Sequence, residues 1–117
     1  MKRVIIESPW RGNVERHRAY LIECIRDSVL RGESPYASHM MLTEALDDND
    51  PASRSLGMIC GYAWWKAASF IAIYTDLGWS EGMRIAKIRG QGHGMKIKER
   101  RLADYKNRDN ATGQPQP

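Results

Sequence analysis

Two short runs of consecutive apolar residues, Val4-Ile5-Ile6 and Phe70-Ile71-Ala72-Ile73-Tyr74, constrain this chain most. Neither alternates with polar residues, so a strand built from either must be covered on both faces. An antiparallel sheet with one wet face would expose half of each run. A parallel sheet with helices on both sides buries them whole.

The segments between the runs read as those helices. Residues 3–6 form the first strand, and Asn13 caps a helix that begins at Val14. Tyr20, Leu21, Cys24, Ile25, Val29 and Leu30 recur at three- and four-residue spacing, one apolar stripe on a helix ending at Gly32. Glu33-Ser34-Pro35 then breaks the chain, and Tyr36 to Met41 reads as a short strand running into a loop. Asp47-Asp48-Asn49-Asp50-Pro51 is a polar linker with Asp50 as cap and Pro51 at the first helical position. The next helix carries Leu56, Ile59, Cys60, Ala63, Trp64 and Ala67 as its expected buried stripe.

After strand 70–74, Thr75 to Trp79 is a loop, and Ser80 caps a helix running to about Arg89. Gly90-Gln91-Gly92-His93-Gly94 ends that helix. It is a turn and not a phosphate cradle, because its glycines follow a helix. Met95 to Lys98 is the last strand, and Lys96, Lys98, Arg100 and Arg101 read as a solvated strand end. The fold class is therefore α/β: a flavodoxin-like parallel sheet flanked by helices, in one compact domain over 1–106. Residues 107–117 lack apolar anchors and read as a disordered tail.

Charge and cysteine usage narrow the class. A net charge of +4 suits phosphate-bearing ligands but falls far short of a nucleic-acid arm, which argues against nucleic acid as a partner. No apolar run approaches the ~20 residues of a membrane helix, and Met1 to Glu7 is too short for a signal peptide. Cys24 and Cys60 stand apart, with no histidine at ligand spacing, and both read as buried free thiols. The expectation is a cytoplasmic protein with no metal and no cofactor. Met40, Met41, Met58 and Met83 are expected in core packing. Of Trp64 and Trp65, one should be buried; an exposed partner would mark a subunit interface.

Right-handed crossovers place every strand-to-helix turn at one edge of the sheet, where ligands of open α/β sheets bind. Three polar turns should converge there: Glu7 to Asn13, Ser38 to Met41, and Thr75 to Ser80. The first offers Ser8, Pro9, Trp10, Arg11 and Gly12 beside a helix N-terminus. Arg11 suits a phosphate clamp and Trp10 a stacking platform for a base or ribose. The same residues also suit a plain edge cover, with Arg11 solvated. Ser80, Gly82 and Met83 repeat the design at the third turn. His39 supplies a donor or an acid–base group at the second.

The stretch VIIESPWRGNVERHRAYLIECIRDSVLRGESPYASHMM, followed by FIAIYTDLGWSEGM, resembles the nucleoside 2-deoxyribosyltransferase-like superfamily, in particular its small phage and prophage branch. The match covers residues 3 to about 102. It rests on an ordered set: S-P-aromatic-x-G after a strand, R-G-x-x-P after a helix, an S-H turn, and D-L-G-x-S-x-G-M. The resemblance implies a flavodoxin-like fold, homo-oligomers that share sites, and cleavage or exchange of the N-glycosidic bond of deoxynucleosides or deoxynucleotides. By that likeness Ser8 to Gly12 line the sugar and phosphate end, while Asp76 and Ser80 close the other side.

One departure bears on activity. Active relatives carry a nucleophilic Glu one helical turn after the glycine of S-x-G, and here that position is Ala86, with Arg84 at the alternative alignment. Glu7, Asp76 and Glu81 are the remaining carboxylates. Three functions follow as expectations. The first is a nucleotide- or nucleoside-binding protein without the hydrolytic carboxylate, such as a phage regulator or sequestering anti-defence factor. The second is an active N-glycosidase or transferase using Glu7, Asp76 or Glu81. The third is a module with a vestigial pocket that binds a host or phage protein partner.

Overall fold

A computed structural model describes residues 1–103 of the chain. The elements follow as β1 (Arg3–Glu7), α1 (Val14–Leu30), β2 (Ser34–Tyr36), α2 (Ser38–Ala45), α3 (Pro51–Ala63), β3 (Phe70–Tyr74), α4 (Glu81–Gly92) and β4 (Lys96–Arg100). A single 3-10 turn, Trp65–Ala67, joins α3 to β3. The four strands pair in the order β2-β1-β3-β4, every pair parallel, a flavodoxin-like arrangement.

Both apolar runs are buried on both faces, as an all-parallel sheet requires. On one face Val4, Ile6, Phe70, Ala72 and Tyr74 pack under Tyr20, Leu21 and Cys24 of α1. On the other, Ile5, Ile71 and Ile73 pack under Trp65 and under Met83 and Ala86 of α4. Alternation within each strand assigns these sides. Asn13 accepts a hydrogen bond from the Arg16 amide and fixes the start of α1. Asp50, with Pro51 behind it, does the same for α3, and Ser80 for α4. Among the described residues no helix is long and apolar enough to cross a membrane.

Four expectations are corrected. Tyr36 to Met41 is not a strand into a loop: the strand is Ser34–Tyr36, and Ser38 opens α2. Pro35 is tolerated because β2 lies at the sheet edge, where a missing amide donor breaks no ladder on its free side. The stripe expected to bury α3 points outward: Leu56 is 56% exposed, Ile59 64% and Trp64 56%, while Cys60, Ala63 and Ala67 are exposed too. Met41 and Met58 also lie at the surface. The side of α3 that meets α2 is made of small residues, Gly57 against Leu46 and Gly61 against Ser38. Finally, α4 runs through Gly90 to Gly92, since Gly90 has no side chain to collide with Ile71 and Ile97. Trp65 is buried at 5% beside the exposed Trp64, as one of the pair should be, and Cys24 is buried. The tail expected over 107–117 lies outside the described residues.

Candidate functional site

The strand order reverses direction between β1 and β3, so the chain leaves these neighbours toward opposite faces of the sheet. A crevice opens at their carboxyl ends. Here it is a cleft of about 420 Å³, walled by the α2–α3 pair on one side and the start of α4 on the other. Glu7, the last residue of β1, reaches it beside Ile73 of β3. Ser8, Trp10 and Arg11 enter from the first turn and His39 from α2. Ser80, Glu81, Gly82 and Met83 enter from the start of α4. Arg11 and Ser80, far apart in the chain, thus share one cavity.

Ser8 is buried, and its Oγ lies 3.3 Å from His39 Nε2. The Trp10 and His39 rings meet edge to face at a centroid distance of 5.5 Å. The turn itself is tied down at its centre, where His17 Nδ1 donates to the Trp10 carbonyl at 2.8 Å. Gly12 then takes φ +93°, a left-handed conformation that a side chain would resist, and delivers the chain into α1.

Solvent exclusion sets the electrostatics. Burial holds His39 down at about 4, so its imidazole is neutral at physiological pH. Burial pushes the Glu7 carboxyl up to about 8, so it keeps its proton under the same conditions. The cleft's two guanidinium groups do not relieve Glu7. Arg11 and Arg54 both approach Asp48, at 3.7 and 3.9 Å. The floor is therefore uncharged while the charges sit at the mouth.

Three of the sequence-derived site residues stand outside this lining. Pro9 is buried behind the turn, and Gly12 serves its backbone. Asp76 is a corrected expectation: it is not in the cleft but on the far side of β3. There it accepts from Tyr20 Oη at 2.6 Å and from the Leu102 amide at 3.0 Å. Conversely, Asp48, Arg54 and Tyr62 line the cleft without having been singled out as site residues. Their only sequence signal was the acidic linker ahead of Pro51, which reads equally well as a helix start. Ala86, where the resemblance expects a nucleophile, faces the same space as Glu7. Among the described residues no cluster of His, Cys, Asp and Glu is arranged to hold a metal ion.

Residues 2–100 match the family described as Domain of unknown function (DUF7768), and the chain belongs to that family. No curated protein and no solved structure matches it.

Proposed function

We propose that this chain binds a nucleotide- or nucleoside-derived small molecule in the cleft at the tips of β1 and β3. The carrying observation is the convergence of Ser8, Trp10 and Arg11 with the Ser80-capped start of α4 around one cavity. A guanidinium and a helix N-terminus suit a phosphate, an indole edge suits a sugar or base, and the volume suits a single small ligand. Ala86 stands where the resemblance to deoxyribosyltransferases expects the nucleophilic carboxylate, which favours binding over cleavage. Sequestration of such a ligand, as by a phage regulator or anti-defence factor, follows from this reading. Calorimetric titration with the four deoxynucleoside 5′-monophosphates tests it. Binding that weakens at least tenfold in Arg11→Ala supports the proposal, and a flat titration with all four overturns it.

Glu7 favours a second reading, N-glycosidic bond hydrolysis or transfer. A carboxyl that keeps its proton near pH 7 is suited to protonating a departing base. Glu81, at the opposite wall, and Asp48, beside the two arginines, are the other carboxylates of the cleft. Release of free base from a deoxynucleotide, abolished in Glu7→Gln, is the result that would establish it.

The homo-oligomer belongs to the same proposal. Ala52, Leu56, Ile59 and Ala63 are exposed at four-, three- and four-residue spacing along α3, a seam that reads alike in both directions. Two copies packed antiparallel would set Leu56 against Ile59, with Asp50 at one helix end facing Lys66 near the other. Sedimentation of Ile59→Lys beside the parent chain tests this pairing.

A further inference from the structure

The cleft holds, at the end of β1, a carboxyl that the fold itself does not use. Glu7 stands at the end of β1, on the face it shares with Ile5, between Tyr62 of α3 and Ala86 of α4. Among the described residues no hydrogen bond or ion pair reaches its carboxyl. Its potential partners are already committed or unsuited. Arg11 and Arg54 lean on Asp48, and His39 is shared with Ser8. Tyr62 lies under the Arg89 guanidinium, 4.3 Å from the ring centroid, and Glu81 carries the wrong sign. Glu7 is half-buried and lines the cleft, so whatever occupies that space is what its carboxyl is left to meet.

We infer that Glu7 reads the ligand as an uncharged carboxylic acid, pairing its O–H and C=O with a neighbouring acceptor and donor on one edge of a nucleobase. This rests on the nucleotide reading above and names the part of the ligand that meets the cleft floor. A carboxylic acid presents one donor and one acceptor side by side, and the edges of nucleobases offer the complementary pair. An ionised carboxylate has no donor and would answer two adjacent donors or a cation instead of a donor–acceptor pair. The groups facing Glu7 argue against that state. Arg11 comes from the first turn, His39 from α2, Asp48 from the mouth, Arg54 and Tyr62 from α3, and Glu81 from α4. Asp48 engages both arginines, and His39 is neutral. Half-buried, and with no ion pair to either arginine, the carboxyl is pushed up to about 8 by burial.

The test uses the full chain, its Glu7→Gln and Glu7→Ala variants, the four deoxynucleoside 5′-monophosphates, and deoxyribose 5-phosphate as a ligand without a base. Gln keeps a donor and an acceptor but cannot ionise. The parent chain should bind at least one nucleotide ~30-fold more weakly at about pH 9.5 than at about pH 7, the fraction of uncharged Glu7 setting the loss. Glu7→Gln should bind the same nucleotide with no such loss, Glu7→Ala should bind poorly at both pH values, and deoxyribose 5-phosphate should bind no better to the parent than to Glu7→Ala. Infrared difference spectra of parent against Glu7→Gln, taken without ligand, should show a protonated carboxyl near pH 7. Nucleotide binding that Glu7→Gln abolishes and that strengthens with rising pH overturns the inference while leaving the nucleotide pocket standing. So does an ionised Glu7 in the infrared spectrum. Absence of any nucleotide binding overturns both.

Discussion

Ser8 Oγ and His39 Nε2 lie 3.3 Å apart although 31 residues separate them, and this pair joins the first turn to α2 next to Glu7. The neighbours shift in opposite senses, which fixes how stability responds to pH. His39 binds its proton less tightly folded than unfolded, so its contribution is whole above about pH 6.5 and is lost as pH falls through about 4. Glu7 binds its proton more tightly when folded, so its contribution is whole below about pH 4.5 and is lost as pH rises through about 8. Between about 4.5 and 6.5 the two slopes cancel, and above that window Glu7 alone acts. Denaturant unfolding across pH should therefore show a plateau and then an alkaline decline in the parent chain. Glu7→Gln should lose the decline and reveal an acid limb, and His39→Gln should extend the decline down toward pH 4.5. The full limbs are at most ~3 kcal/mol for His39 and ~5 kcal/mol for Glu7, reduced by whatever water reaches them through the cleft. An alkaline limb unchanged in Glu7→Gln would contradict the assignment.

Behind the site, Arg100 donates to both carboxylate oxygens of Glu33, at 2.8 and 2.6 Å, and to Tyr74 Oη at 3.2 Å. Both side chains are largely buried, and the guanidinium holds Glu33 below the usual carboxylate range. Removing one member strands the other. Glu33→Ala should cost ~3–5 kcal/mol in urea unfolding, while Glu33→Leu combined with Arg100→Met should recover most of it. Equal losses from the single and the double variant would show that the pair's worth lies in something other than charge compensation.

The strands β1, β3 and β4 and the starts of α1, α3 and α4 were legible because their causes are local. An unbroken apolar run has one good home in an α/β sheet, and Asn13, Asp50 and Ser80 cap the helices that follow them. The convergence of the first and third turns was legible too, since crossover handedness places them on one edge. What was not legible depends on partners distant in sequence. Ala37 offers no side-chain cap for α2, and Pro35 suggests a break, so nothing local announces that helix. Without α2 on the page, the glycines that seat α3 against it look like poor packing positions, and the outward stripe of Leu56 and Ile59 looks like the core. The surroundings of Glu7 were equally hidden, because they depend on α2, α3 and α4 meeting around the end of β1.

Asp76 shows the same limit, since as a loop carboxylate near Ser80 it reads naturally as a site residue. Tyr20, 56 residues earlier, and Leu102, 26 later, instead converge on it. It ties α1 and the chain after β4 to the end of β3. Asp76→Ala removes the side-chain acceptor of the Leu102 amide and the carboxylate that Tyr20 Oη donates to, and should lower unfolding stability by ~2–3 kcal/mol. Nucleotide affinity, measured well below the melting temperature, should stay within about twofold of the parent chain. A selective loss of binding with stability intact would return Asp76 to the site.

The wall of the cleft can be probed without replacing any of its polar residues. A Cβ at Gly61 would sit 2.9 Å from Ser38 Oγ and 3.2 Å from Ser38 Cβ. The Cβ is fixed to the α2 backbone, so a rotamer change cannot clear it, and α2 and α3 must move apart. Ala is the better helix former by ~1 kcal/mol, yet Gly61→Ala should still be net destabilising, by ~1–2 kcal/mol. Because His39 rides on the same helix as Ser38, its separation from Ser8 should grow and its pKa should rise toward the ordinary value as water enters. Gly92→Ala, with no atom within 4 Å of the added Cβ, is the control. It should leave both stability and the His39 titration essentially unchanged, or slightly favour the helix. An NMR pH titration of His39 in the two variants decides the matter: identical curves would mean that α2 and α3 are not held at contact distance by these small residues.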